Sequence, residues 1–296
     1  MTQHKSGFVN IVGNPNVGKS TLMNLLVGEK ISIITSKAQT TRHRIMGIVN
    51  TDDMQVVYSD TPGVLRPNYK LQENMLNFSE SALNDADVLV YVTDVIEKID
   101  KNNFFLQKVA KVESPLFLVI NKIDLLSGQK DLEKKVDEWK EIFPKAEIVP
   151  ISATNKFNVD YLKKRIETLI PESPPYFDKD AMTDKPARFF VTEIIREKIF
   201  LYYQKEVPYS TEVIVELFKE AEELIHIKAV VIVERNSQKG IIIGDKGQAL
   251  KKVGSMARKD IERFFDKKVF LEIFVKVEKD WRSRDNMLRS FGYKLE

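Results

Sequence analysis

At 296 residues, 43% hydrophobic and 30% charged, the chain has the composition of a soluble globular protein and the length for two domains with buried cores. It contains no cysteine, which excludes disulfides and thiolate metal sites and fits a reducing compartment. The formal net charge of +3 is unevenly spread: residues 239–296 hold 15 Lys and Arg against 9 Asp and Glu, a net of +6, so the C-terminal end is where an anionic partner is expected.

Met1 to Gly7 lack the apolar core of a signal peptide, and no apolar run is long enough to cross a bilayer. The expected compartment is the cytoplasm. Phe8 to Val12 form a strand-like run, and Thr21 to Val27 read as the first turns of a helix. Between them, Gly13-Asn14-Pro15-Asn16-Val17-Gly18-Lys19-Ser20 fits G-x-x-x-x-G-K-[ST], a phosphate-binding loop in the strand-to-helix context that the motif requires. Converging backbone N–H groups and the positive end of the helix attract phosphate oxygens. Lys19 supplies a cation for the terminal phosphates and Ser20 a hydroxyl for Mg²⁺, with Thr21 next in line.

The polar segment from Gly28 to Arg44 carries Gln39-Thr40-Thr41-Arg42-His43. A threonine hydroxyl there can reach Mg²⁺ and a γ-phosphate only while that phosphate is present, which marks a candidate switch. The spacing leaves the ligand open between Thr40 and Thr41. Two strand-like runs, Ile45 to Asn50 and Met54 to Ser59, suggest a hairpin that feeds into Asp60-Thr61-Pro62-Gly63. Asp60 can hold the Mg²⁺ hydration shell, and Gly63 can present its N–H to the γ-phosphate. The expected catalytic set is Lys19, Thr41 and Gly63, and the expected Mg²⁺ ligands are Ser20, Thr41 and Asp60.

Further apolar strands run over Val88 to Val92 and Leu116 to Ile120, the second ending in Asn121-Lys122-Ile123-Asp124. A carboxylate at Asp124 can accept from both N1–H and the exocyclic amine of guanine, which adenine cannot reproduce. Asn121 would brace the site and the stem of Lys122 would lie over the base. Ile148 to Ala153 form a last strand whose loop, with Ser152 and Ala153, can offer backbone N–H groups to guanine O6. Helix-length segments at Asn102 to Val112, Asp131 to Phe143 and Val159 to Leu169 alternate with the strands. The expected fold is an α/β domain with a mostly parallel sheet covered on both faces, its five motifs gathered at the carboxyl edge.

Pro171 to Asp178 cannot continue a helix and marks a boundary, giving a domain over 1–173, a linker over 174–186 and a second domain over 187–296. The second part opens with a helix over Phe190 to Tyr203. Its strands should bury Val213, Val215 and Leu217, then Ile225 to Val233, then alternate positions from Val269 to Val277. Ile241-Ile242-Ile243-Gly244-Asp245-Lys246-Gly247-Gln248 precedes a helix with Leu250, Val253, Ala257, Ile261 and Phe264 directed inward. The pattern fits the G-x-x-G loop of KH domains, which clamps a single-stranded nucleic-acid backbone, against the plainer alternative of a helix–turn–helix. The expected RNA contacts are Ile242, Ile243, Gly244, Asp245, Lys246, Gly247 and Lys251. Trp281 is expected to anchor the last helix, the alternative being a base-stacking surface.

Taken together, the five motifs and their fusion to a KH-like domain resemble the Era family of bacterial GTPases over essentially the full length. Arg188-Phe189-Phe190, Ile194 to Lys198 and Val207-Pro208-Tyr209-Ser210 add to the resemblance. It implies a P-loop GTPase domain followed by an α+β type II KH domain. It also implies Mg²⁺-dependent hydrolysis of GTP to GDP, a monovalent cation such as K⁺, and binding of the 3′ end of 16S ribosomal RNA during small (30S) subunit assembly. A monomer in peripheral contact with the inner membrane face is implied as well. Two rivals are a membrane or cell-cycle signalling GTPase and a passive RNA-binding scaffold stabilised by nucleotide. Val64 stands where many signalling GTPases carry a water-orienting glutamine, so slow intrinsic turnover is expected. Asp245 puts an acid inside the G-x-x-G loop, which should weaken phosphate contact.

Overall fold

The computed structural model describes residues 4–99 and 101–293, so Met1 to Gln3 of the leading segment and the last three residues of the C-terminal tail lie outside the described residues. The chain divides into two compact units, the first ending at Asp184 and the second beginning at Lys185.

In the first unit six strands order as β2-β3-β1-β4-β5-β6: β1 (Lys5–Gly13), β2 (Ile45–Asn50), β3 (Met54–Asp60), β4 (Val88–Asp94), β5 (Leu116–Asn121) and β6 (Glu147–Pro150). Only β2 is antiparallel to its neighbour. The central strands alternate two apolar faces and so need cover on both sides. Val88, Val90 and Val92 join Leu22, Met23, Leu162 and Ile166 from α1 (Lys19–Val27) and α5 (Val159–Leu169). Leu89 and Tyr91 face the opposite way, onto Ala82, Phe105 and Trp139 from α2 (Lys70–Asn84), α3 (Asn103–Val109) and α4 (Gln129–Ile142). Helix α2 is absent from the sequence expectations although Leu71, Met75, Phe78 and Ala82 recur at helical spacing and are buried. The helix expected to run to Val112 ends at Val109.

The segment expected as a linker, 174–186, is attached to the first unit as far as Asp184. Buried Gln55 accepts from Tyr176 N (2.7 Å) and Phe177 N (2.9 Å) and donates to Phe177 O (2.9 Å) and Asn50 Oδ1 (2.8 Å). Along the free edge of β2, Ile48 N donates to Met182 O, Thr183 Oγ1 to Met46 O, and Met46 N to Asp184 Oδ1. Strand edges left bare invite pairing with other chains, and this segment covers one.

In the second unit the order is α6 (Ala187–Tyr202), β7 (Glu212–Glu220), β8 (Leu224–Val233), α7 (Asn236–Ile243), α8 (Gln248–Phe265), β9 (Lys268–Val277) and α9 (Asp285–Ser290). Strand β8 lies between antiparallel β7 and parallel β9. Val191, Ile195 and Ile199 of α6 and Val253, Ala257 and Ile261 of α8 fill the space under the sheet. Two expected core residues are outside it. A bulge between Val215 and Leu217 reverses the alternation, so Leu217 is 40% exposed and Phe218 turns inward. Phe264 is 44% exposed and stacks on Phe190 at 5.1 Å, while Phe265 packs against the core. Trp281 is fully buried and donates from Nε1 to Ser210 O (3.0 Å), which makes it an anchor and removes it as a stacking surface.

Replacing Gln55 by Leu leaves the Tyr176 and Phe177 peptide groups without their partner. We expect a loss of about 2 kcal/mol or more in the stability of the first unit, read as a lower urea midpoint with unchanged slope.

Candidate nucleotide site and nucleic-acid interface

The loop between β1 and α1 is held from behind. Lys19 Nζ donates to Gly13 O (3.0 Å) and Asn14 O (2.8 Å), and Asn121 Nδ2 donates to Val17 O (2.8 Å). A Cβ on Gly18, at φ 98°, would meet the Asn121 amide nitrogen at 2.2 Å, so only glycine fits there. Pro15, Asn16, Gly18, Lys19, Ser20 and Thr21 line a cavity of about 460 Å³. Gly13, Asn14 and Val17 do not: Gly13 lies against the Val92 backbone, Val17 is in the core and the Asn14 side chain meets Asn102, 2.6 Å away. Burial lowers the Lys19 ammonium to about 8, against the opposing pull of Asp60 and Glu97.

Three oxygens expected around Mg²⁺ converge. Ser20 Oγ lies 2.7 Å from Asp60 Oδ2 and 2.9 Å from Thr41 Oγ1, and Thr41 Oγ1 is 3.4 Å from the same carboxylate oxygen. Thr40 turns the other way, donating to Lys37 O and meeting Thr35 Oγ1, both at 2.6 Å. Of the two threonines that the sequence leaves open, it is the Thr41 hydroxyl that stands beside Ser20 and Asp60. Asp60 Oδ1 and Ser32 Oγ are both buried with no hydrogen-bond partner among the described residues, and burial raises the Asp60 carboxyl against the pull of Lys19, Ser20, Ser32 and Thr41. A hard cation with its water ligands suits this oxygen set and would satisfy the orphaned carboxylate oxygen.

Gly63 also lines the cavity. A Cβ there would come within 2.7 Å of Pro15, so this glycine permits close approach of two loops. Val64 is fully buried in the core on the α3 side of the sheet, and its side chain is remote from solvent.

At the other end of the cavity, Asn121 Oδ1 accepts from Ala153 N (3.0 Å) and Ser152 Oγ donates to Asp124 Oδ1 (2.5 Å). Lys122 donates to Asn16 O and Asp94 Oδ2, both at 2.6 Å, which fixes its head and leaves its stem along the cavity wall. The Ala153 N–H is engaged by Asn121. The sequence reading missed Thr35, Ser36, Lys37, Leu125 and Thr154, which also line the cavity. Leu125 and Thr154 directly follow the Asn121–Asp124 and Ser152–Ala153 motifs, and Thr35 to Lys37 lie in the polar segment ahead of Thr40.

In the second unit, Gly244 to Gly247 connect α7 to α8 with positive φ at Gly244, Lys246 and Gly247. Asp245 and Lys246 are exposed. Beside the loop, a groove of about 340 Å³ is lined by Gly247, Leu250, Lys251, Gly254, Ser255, Arg258, Leu271 and Ile273. Ile242, expected as a groove wall, is fully buried and packs in the core, because α7 presents that face to the sheet. Ile243 is partly exposed but does not line the groove. The apolar floor comes from Leu250, Leu271 and Ile273. Gly254 was detectable as the small residue one turn beyond Leu250 that keeps a helix face open.

Residues 8–122 match a protein family described as 50S ribosome-binding GTPase, and residues 206–282 match the KH domain family. Fold and sites together define a P-loop GTPase domain joined to a C-terminal KH domain. A crystal structure of Era in complex with MgGDPNP and nucleotides 1506–1542 of 16S ribosomal RNA is 40% identical, covering 99% of this chain and 100% of that one with a TM-score of 0.94. A variant of Aquifex aeolicus Era bound to GDP and AlF4⁻ is likewise 40% identical, covering 98% of this chain and 100% of that one, also at 0.94. The chain belongs to the Era family of GTPases.

The Lys19 environment carries a pH signature. A phosphate chain favours the ammonium, so the nucleotide-bound amine titrates above the free value of about 8. Between those two values binding must take up a proton. GDP affinity should therefore be flat with respect to this group below pH 7 and fall as pH rises above 8. Calorimetric titrations at pH 9 in buffers of different ionisation enthalpy should show the uptake.

Proposed function

We propose that this GTPase is a nucleotide-controlled switch that binds the 3′ end of 16S ribosomal RNA through its KH domain and assists assembly of the small ribosomal subunit in the cytoplasm. The observation that carries the reading is one chain holding both a guanine-nucleotide cavity and a G-x-x-G groove, alike over its full length to an Era bound to that RNA. The family description that mentions the large subunit covers only the nucleotide domain, whereas the likeness to the RNA complex covers both.

In the nucleotide domain, P-loop amides and Lys19 bind the phosphates, Asp124 reads the guanine edge, and Asn121 and Ser152 hold Asp124 and the loops in place. Ser20, Thr41 and Asp60 would hold Mg²⁺, which would neutralise charge on the phosphates. The N–H of Gly63 meets the γ-phosphate. The Val64 side chain cannot hydrogen-bond water, so charge stabilisation would fall to backbone amides, Lys19 and bound cations such as K⁺, and slow turnover is expected. In the KH domain the loop amides and Lys246 meet the RNA backbone while Lys251 and Arg258 flank an apolar floor for bases.

The sequence GTP → GDP then toggles the segments around Thr41 and Gly63. Thr41→Ala should slow hydrolysis at saturating GTP and Mg²⁺ by about tenfold or more, and Thr40→Ala by much less, in single-turnover assays. Gly244→Asp with Gly247→Asp should abolish crosslinking to 16S RNA and leave GTP binding intact. Retained crosslinking would overturn the G-x-x-G loop as the RNA contact, and a cellular function left intact by a double variant that no longer crosslinks would favour the signalling reading. A GTPase rate indifferent to added 16S RNA, with equal RNA affinity in GDP and GTP-analogue states, would favour the passive scaffold.

A further inference from the structure

Asn102 occupies the N-cap of α3, a position where asparagine ordinarily bonds the first turn of its own helix, yet its side chain makes no capping bond. It is buried instead against two loops far away in sequence. Asn102 Nδ2 donates to Asn14 Oδ1 (2.6 Å) and to Val64 O (2.9 Å). Val64 N in turn donates to Gly13 O (3.1 Å), and Lys19 Nζ donates to both Gly13 O and Asn14 O. The bonds close a ring that runs from Lys19 through Gly13, Val64, Asn102 and Asn14 back to Lys19.

We propose that Asn102 is a positioning residue for GTP hydrolysis, which holds the backbone of Gly63 and Val64 in register with the P-loop. The proposal rests on the GTPase reading of this site. Val64 has its N–H, its carbonyl and its side chain all fixed, the last in the core, so the adjoining Gly63 has little freedom except about its own dihedrals. With no side chain to orient water, the reaction depends on where the Gly63–Val64 backbone stands relative to the γ-phosphate. GDP has no γ-phosphate and is held by the P-loop amides and the Asn121–Asp124 end. Loss of the Asn102 amide leaves the Val64 carbonyl and Asn14 Oδ1 short of a buried partner, and the loosened element is the one that acts on the γ-phosphate.

The test uses the full chain. Single-turnover hydrolysis at saturating GTP and GDP affinity by fluorescent titration are measured for wild type, Asn102→Leu, Asn14→Ala and the double variant. We expect Asn102→Leu to hydrolyse about tenfold more slowly with GDP affinity changed less than about threefold, and the double variant to be no slower than the slower single one. Should the Leu variant fail to fold, Asn102→Asp keeps the volume but carries no hydrogen for Val64 O when ionised, and the same split is expected. A hydrolysis rate within about twofold of wild type, or rate and GDP affinity falling by the same factor, overturns the proposal. A wild-type chain that binds no guanine nucleotide would instead overturn the reading beneath it.

Discussion

The nucleotide site depends on one buried amide. Asn121 stands at the carboxyl end of β5, donates to the P-loop at Val17 O and accepts from Ala153 N, so a single side chain joins the phosphate end of the cavity to the base end. Gly18 leaves room for that amide and for nothing larger. Parallel strands bring the four loops to one edge, but the topology alone leaves their mutual spacing loose. The amide fixes the loops after β1 and β6 against its own, because leaving a buried amide unpaired costs about 1–3 kcal/mol.

Around that frame the charges are arranged to be incomplete. Burial lowers Lys19 and raises Asp60, so each ionised group is less favourable than it would be in water and each gains from an opposite charge beside it. A phosphate chain offers the first and a divalent cation the second. Asp60 Oδ1, buried and without a hydrogen-bond partner among the described residues, expresses the same incompleteness. Sites built in this way bind their ligands as a set, since the phosphates and the cation neutralise each other as well as the protein.

The motifs at Gly13 to Ser20, Asp60 to Gly63 and Asn121 to Asp124 were legible because each needs particular atoms at fixed spacing. The Thr40–Thr41 choice was not, since it turns on which hydroxyl faces Ser20, a matter of backbone direction that adjacent identical residues cannot report. Ile242 shows the opposite failure. Three successive isoleucines look alike in sequence, yet only the helix phase of α7 decides that Ile241 is half exposed and Ile242 is buried. Leu217 fell to a bulge, which inserts one residue and flips every alternation after it. Asn102 had no motif at all; its role comes from partners 88 and 38 residues away.

The switch segment is short of freedom at both ends. Upstream, Asn24 Oδ1 accepts from Ile31 N and Ser32 N (both 2.9 Å) and Asn24 Nδ2 donates to Ser32 O (2.8 Å). Downstream, the Arg44 guanidinium bonds Ser59 Oγ, Asn10 Oδ1 and both carboxylate oxygens of Asp85. Ten or so residues lie between these two anchors, and Thr41 is only three residues from Arg44. The segment that holds Thr41 beside Ser20 and Asp60 is thus anchored immediately ahead of β2. Because β2 also carries Met182 to Asp184 on its outer edge, the chain leaving this unit starts from a strand that the switch need not deform.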